Sequence, residues 1–202
     1  MPDLHFENQH PAPVCGVDEA GRGPWAGPVV AAAVVLDLDY IPRGLDDSKK
    51  LSAARRAVLC DAIKARARWG VGIASVDEID RLNILRANDL AMARAVAGLG
   101  AAFALIDGNR IPPGFPLPAR AIVKGDSLSL SIAAASIIAK ETRDDIMAAL
   151  ARAYPGYGWE TNAGYGVAAH RAGLQRLGIT PHHRRSFKPI HKMLCEEINI
   201  TS

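Results

Sequence analysis

Two apolar runs, Val14–Val17 and Pro28–Leu36, flank a glycine-rich turn at Gly21–Gly27, a pattern that predicts two strands joined by a loop. Trp69–Val76 predicts a third strand and completes an antiparallel meander. From there the period changes from two to 3.6. Ser52 is placed to cap a helix over Ala53–Arg68, and a second helix is expected over Asp89–Leu99, ending at Gly100. Ala102–Asp107 reads as a buried strand because Phe103, Leu105 and Ile106 are apolar and Gly108 stops it. A stiff loop with Pro112, Pro113, Pro116 and Pro118 leads to a short strand over Arg120–Lys124. A long helix over Leu128–Tyr154 stops at Pro155-Gly156, and another is expected over Ala163–Leu177. Small side chains across Ile132–Ala139 suit a helix packed closely on a sheet. Strands in a meander, followed by strands alternating with helices, predict an α/β fold: a mixed sheet covered by helices on both faces. No internal repeat or low-complexity block interrupts the pattern.

Against this layout, acids stand where strands stop. Asp18 and Glu19 follow the first apolar run in Val17-Asp18-Glu19-Ala20-Gly21-Arg22-Gly23, Asp107 ends the fourth strand, and Asp126 precedes the long helix. Strand ends of an open α/β sheet line the crevice where ligands bind. Taken singly, each acid also suits a turn or a helix cap. Gathered, they would repel one another unless cations were present. Oxygen-only ligation selects Mg²⁺ or Mn²⁺ over zinc, and a pair of such ions can activate water and stabilise the leaving oxygen of a phosphodiester. The glycines beside Arg22 would let backbone N–H groups approach a ligand closely.

Composition narrows the class. With 202 residues, 49% hydrophobic and 22% charged, the chain is expected to form one globular catalytic domain with a C-terminal helical extension. Cys15, Cys60 and Cys195 are odd in number and widely spaced, which suits a reducing compartment rather than a disulfide framework. The N-terminus lacks a basic stretch followed by an apolar one, and the longest apolar run, Val29–Leu36, is too short for a bilayer. A cytoplasmic location and no membrane contact are expected. The net charge of +3 permits nucleic-acid binding without indicating it. Local distribution says more: between Pro181 and Lys192 lie Arg184, Arg185, Lys188, Lys192 and three histidines with no acid, either a binding strip or a solvated face. An aromatic content of 5% disfavours an extended base-stacking groove, so a monomer acting on a duplex is expected.

The blocks Asp18–Pro24 with Ala26–Val30, Asp47-Ser48-Lys49-Lys50-Leu51, Ile106-Asp107-Gly108-Asn109, Val123-Lys124-Gly125-Asp126, Ala134–Lys140, Arg143-Asp144 and His183–Phe187 together resemble the bacterial ribonuclease HII family. The resemblance runs from about residue 14 to 190 with the blocks in order. It implies an RNase H-like fold with a small C-terminal helical region. The implied activity is endonucleolytic cleavage of RNA in RNA–DNA hybrids and of single ribonucleotides embedded in duplex DNA, by two-metal hydrolysis that leaves 5′-phosphate and 3′-hydroxyl ends. By the same resemblance, Asp18, Glu19 and Asp107 are metal ligands and Asp126 is the fourth active-site carboxylate. Gly21, Arg22 and Gly23 would contact the 2′-hydroxyl through backbone groups, and Tyr165 would pack on the neighbouring deoxyribose. Ser48 with Lys49, and Arg184 with Arg185, would contact phosphates.

Around Tyr165 the chain departs from the family wording. Asn162-Ala163 stand where the family has histidine-lysine, and Val167 where it has threonine, which removes a base and a hydroxyl. From residue chemistry alone, Tyr165 also suits a core or capping position, and Lys49 and Lys50 suit ordinary surface charges. Arg143 and Asp144 are expected to pair with neighbours, and His170, placed toward solvent, has no ligand partner at metal-binding spacing. Three other classes stay open. An integrase- or resolvase-like enzyme would share the acids but ignore a ribose; a nucleic-acid-binding module would not need convergent carboxylates, which repel phosphate; a small-molecule phosphatase would not need the cationic strip. No residue pattern marks a contact with a sliding clamp.

Overall fold

The structure is a computed structural model, described over residues 1–200. β1 (Val14–Ala20), β2 (Val29–Val35) and β3 (Arg68–Ala74) form the antiparallel meander, and β4 (Phe103–Asp107) and β5 (Ala119–Ile122) extend it in parallel on the other side of β1. The strand order is β3-β2-β1-β4-β5, so β1 is central. Alternation along the strands divides the core in two. Val29, Ala31, Ala33 and Val35 of β2, with Cys15 and Val17 of β1, face α3 (Ile84–Val96), while Ala32 and Val34 face α1 (Ala53–Arg66) and α4 (Leu130–Ala153). Both faces of the mixed sheet are thus covered, as the sequence pattern implies.

α4 lies so close to β1 that a Cβ on Gly16 would overlap the backbone of Ser131 and Ile132. Its first turn is fixed from two directions. Ser129 caps it by accepting from the Ile132 N–H at 3.2 Å, and buried Glu7 accepts from the Ser131 N–H at 2.9 Å and from the Ser129 and Ser131 hydroxyls at 2.6 and 2.7 Å. A carboxylate at a helix N-terminus is favoured by unpaired N–H groups and by the dipole.

Three elements differ from the expected ones. The third strand ends at Ala74 because Ser75 and Glu78 form a capping box that opens α2 (Val76–Leu82). Asn83, with a φ of 67°, then turns the chain and caps α3, which therefore starts at Ile84 rather than at Asp89. The helix expected over Ala163–Leu177 is instead α5 (Trp159–Asn162), an irregular stretch and α6 (Ala168–Leu177). Ala163 and Gly164 adopt φ of 47° and 84°, conformations that break a right-handed helix. With α7 (Lys188–Ile200) these helices form the C-terminal region, packed through Trp159, Leu174 and Ile190 on Ala26, Met147 and Ala151. Among the described residues, no helix is long and apolar enough to cross a membrane.

Candidate active site

Parallel strands bring their C-terminal ends to one edge of a sheet. β1 and β4 pair with Gly16 opposite Leu105 and Val17 opposite Ile106, so Asp18 and Asp107 arrive side by side on the α4 face. β5 also pairs in parallel, with Ile122 opposite Asp107, and four residues later Asp126 sits in the short 3-10 turn Gly125–Ser127 that leads into α4. Asp107 accepts a 2.7 Å hydrogen bond from the Gly125 N–H, which ties that turn to β4. As a result, carboxylate oxygens of Asp18, Asp107 and Asp126 lie within 4.8 Å of one another.

Glu19 is not in that group. The strand continues through Ala20, so Glu19 points to the face opposite Asp18, where its carboxylate meets the Arg22 guanidinium at 3.3 Å. Its pKa is raised by burial, against the lowering effect of Arg22. Asp18 is held well above the usual carboxylate range by burial, then by the charges of Glu19 and Asp107. Asp126 is raised by burial, then by Asp107 and Asp47, while Lys49 offsets part of this at 3.7 Å. Burial lowers the Lys49 ammonium, yet the surrounding Asp47, Asp18, Asp126 and Asp107 outweigh it and keep its pKa above the ordinary value.

Three clustered carboxylates, two of them buried, with hard oxygen donors and no arginine among them suit a divalent cation of the Mg²⁺ or Mn²⁺ type, which would relieve the burial and repulsion that raise the pKa values of Asp18 and Asp126. Beside them opens a cleft of about 270 Å³ whose lining includes Gly21, Gly23, Ser48, Lys49, Arg143 and Tyr165. Tyr165 is 48% exposed, and a Cβ on Gly23 would sit 3.4 Å from its ring. Lys49 is exposed. Ser48 lines the cleft but is buried, with its N–H donating to Ser136 Oγ and its carbonyl accepting from Arg56, so it shapes the wall through its backbone.

Arg184 departs from expectation. It is fully buried, and its guanidinium donates to the carbonyls of Gly21 at 2.6 Å, Arg22 at 2.9 Å, Gly27 at 2.9 Å and Pro28 at 3.1 Å. With its donors spent on the glycine loop, it is an anchor of that loop and not a phosphate contact. Arg185 next to it is exposed, and its backbone N–H is fixed by Asp80 at 2.9 Å. Arg143, expected to pair with neighbours, is also buried and donates to the carbonyls of Ala26, Pro28 and Ala163 at 3.0–3.1 Å. Burial and, for Arg184, the neighbouring Arg143 lower these cations to about 9 for Arg184 and about 10 for Arg143. The signal for Arg143 was available: Ser136, Ala139, Arg143 and Met147 form one helical stripe, buried throughout, with a charge in it. His170, placed toward solvent by its sequence context, is in fact buried against Trp159 and His183.

A mixed sheet with parallel strand ends that deliver a carboxylate cluster beside a glycine loop defines a metal-dependent nuclease of the RNase H-like class. Comparison with known proteins agrees. The family model described as Ribonuclease HII matches residues 15–190, and the chain belongs to that family. It is 60% identical over 190 residues to the ribonuclease HII of Paracoccus denitrificans, covering 93% of this chain and 90% of that one. To the ribonuclease HII of Ruegeria pomeroyi it is 63% identical over 186 residues, with 91% and 80% covered. Among solved structures, the PCNA:RNase HII complex from Archaeoglobus fulgidus superposes with a TM-score of 0.76 at 29% identity, covering 87% of this chain and 95% of that one. The protein is accordingly a divalent-metal-dependent endoribonuclease of RNA–DNA hybrids.

Proposed function

We propose that the cleft recognises a single ribonucleotide in duplex DNA and directs hydrolysis of the phosphodiester on its 5′ side, leaving 5′-phosphate and 3′-hydroxyl ends. The observation that carries this reading is the direction of the glycine loop. In a trans peptide the C=O of one residue and the N–H of the next point opposite ways. With the Gly21 and Arg22 carbonyls turned inward to Arg184, the N–H groups of Arg22 and Gly23 turn outward, toward the cleft next to Asp18. Fixed N–H donors can read a 2′-hydroxyl, the group that separates ribose from deoxyribose.

Asp18, Asp107 and Asp126 would hold Mg²⁺ or Mn²⁺, with Glu19 as a further ligand from across the strand; bound there, a pair of such ions neutralises charge at the phosphate and acidifies the attacking water. The chain's own groups do the positioning. Tyr165, half exposed above Gly23, packs on the deoxyribose beside the ribonucleotide. Lys49 and Arg185 contact phosphates and set register without reading sequence. The chain works as one catalytic domain and as a monomer in the cytoplasm, and a sliding clamp is the class of protein partner that the Archaeoglobus complex suggests.

The test is cleavage of a DNA duplex with one ribonucleotide against the same duplex in all-DNA form, with Mg²⁺ or Mn²⁺. Cutting only at the ribonucleotide, and none by Asp18→Asn, is expected. Equal cutting of both duplexes, or of neither, overturns the reading.

A further inference from the structure

Behind Tyr165 lie two buried imidazoles whose protons can be assigned. His183 Nδ1 sits 2.9 Å from the Thr180 N–H, and His170 Nε2 sits 3.0 Å from the Trp159 indole N–H. A backbone N–H and an indole N–H can only donate. Both of those ring nitrogens are therefore acceptors and carry no proton. Each neutral ring must then hold its proton on its other nitrogen. His183 Nε2–H is directed at His170 Nε2 at 3.0 Å, where it shares that nitrogen's one lone pair with the indole N–H, and His170 Nδ1–H donates to the Tyr165 carbonyl at 3.0 Å. The reverse assignment sets N–H against N–H at Thr180 and at Trp159. An added proton on either ring does the same, and burial already lowers both rings, His183 to about 4. Fixed donors at both ends thus leave one arrangement, with its protons directed toward Tyr165.

The two histidines touch both walls of the cleft. His183 precedes Arg184, whose guanidinium holds the Gly21 and Arg22 carbonyls, and its strand-like bridge to Ala26 lies in the same loop. His170 holds the carbonyl of Tyr165, which also accepts from the Val167 N–H at 2.8 Å. We infer that His170 and His183 are positioning residues for substrate selection: a doubly neutral imidazole pair in one tautomeric order that sets the Tyr165 wall against the Gly21–Gly23 wall. The inference rests on the reading of Tyr165 as a sugar contact. Neither ring reaches the carboxylates, so its effect belongs in substrate binding and not in the chemical step.

Long-range ¹H–¹⁵N correlation spectra of the histidine-labelled wild-type protein test the assignment with no variant. Protons on His183 Nε2 and His170 Nδ1, with both rings neutral at pH 6, are expected. The opposite tautomer on either ring, or an imidazolium, overturns the inference. Kinetics on the single-ribonucleotide duplex test its consequence. His170→Asn can keep a donor near Nδ1, whereas His170→Gln can keep the acceptor near Nε2 but loses the donor to Tyr165. His170→Gln is expected to raise KM about tenfold with kcat changed less than about twofold, and His170→Asn to restore most of the loss. In a Tyr165→Ala background, His170→Gln should add no further rise. An unchanged KM for His170→Gln beside a defective Tyr165→Ala overturns this inference alone. An unchanged KM for Tyr165→Ala overturns the sugar-contact reading and this inference with it, while the spectra still report the tautomers.

Discussion

Asp18 gathers the cost of the site in one residue. Burial and the charges of Glu19 and Asp107 raise its pKa in the folded chain, so the native state binds a proton that the unfolded chain has already lost. Its stabilising contribution is present at low pH and is lost as pH rises through the folded value. At pH 8 without metal, Asp18→Asn should therefore melt at least about 2 °C above the wild type while losing roughly 10²-fold or more in activity. Thermal scans with and without Mn²⁺ check both halves, since added ion should stabilise the wild type and barely change the variant. The two loop glycines give a second contrast. Gly21 has a φ of 96°, and a Cβ there would overlap Arg143, so Gly21→Ala should lose stability as well as activity. A Cβ on Gly23 meets only the Tyr165 ring at ordinary contact distance. Gly23→Ala should keep its melting temperature within about 2 °C and lose cleavage at a single ribonucleotide; full activity in that variant would remove the backbone account of sugar recognition.

Among elements, the parallel pairing of β1 with β4 and β5 creates the site, and the buried arginines hold the loop that completes it. Arg184→Ala would leave the inward carbonyls of Gly21, Arg22 and Gly27 without their donor, while Pro28 would keep Arg143. A loss of about 3 kcal/mol or more in urea unfolding is expected, together with loss of activity. Most of this scaffold was legible in the chain. The strands show as apolar runs, the long helix as a small-residue stripe, and Asp18, Asp107 and Asp126 as acids at strand ends. What escaped was decided at long range or by single residues. The opposite facing of Glu19 depends on β1 continuing to Ala20 beyond its apolar run. Asn83 and Gly164 break helices through local conformation, against the surrounding helical pattern. Apart from Ala163, the carbonyls held by Arg143 and Arg184 lie 115–163 residues away along the chain, which no local pattern encodes.

For the molecule as a whole, charge is divided by function. The anionic cluster is largely buried where the parallel strands end, while Lys49 and Arg185 are exposed outside it. Duplex affinity should therefore fall linearly in log Kd against log salt, and Lys49→Ala should reduce the slope by about one whether or not a ribonucleotide is present. A slope change only on the ribonucleotide duplex would make Lys49 a sugar reader instead. Activity depends most on the three carboxylates acting together on a divalent ion. Anomalous scattering from a crystal soaked in MnCl₂ tests this directly. It should place manganese between Asp18, Asp107 and Asp126 in the wild type and weaken or lose it in Asp18→Asn. Full nuclease activity in the same buffer with no manganese between those residues would contradict it.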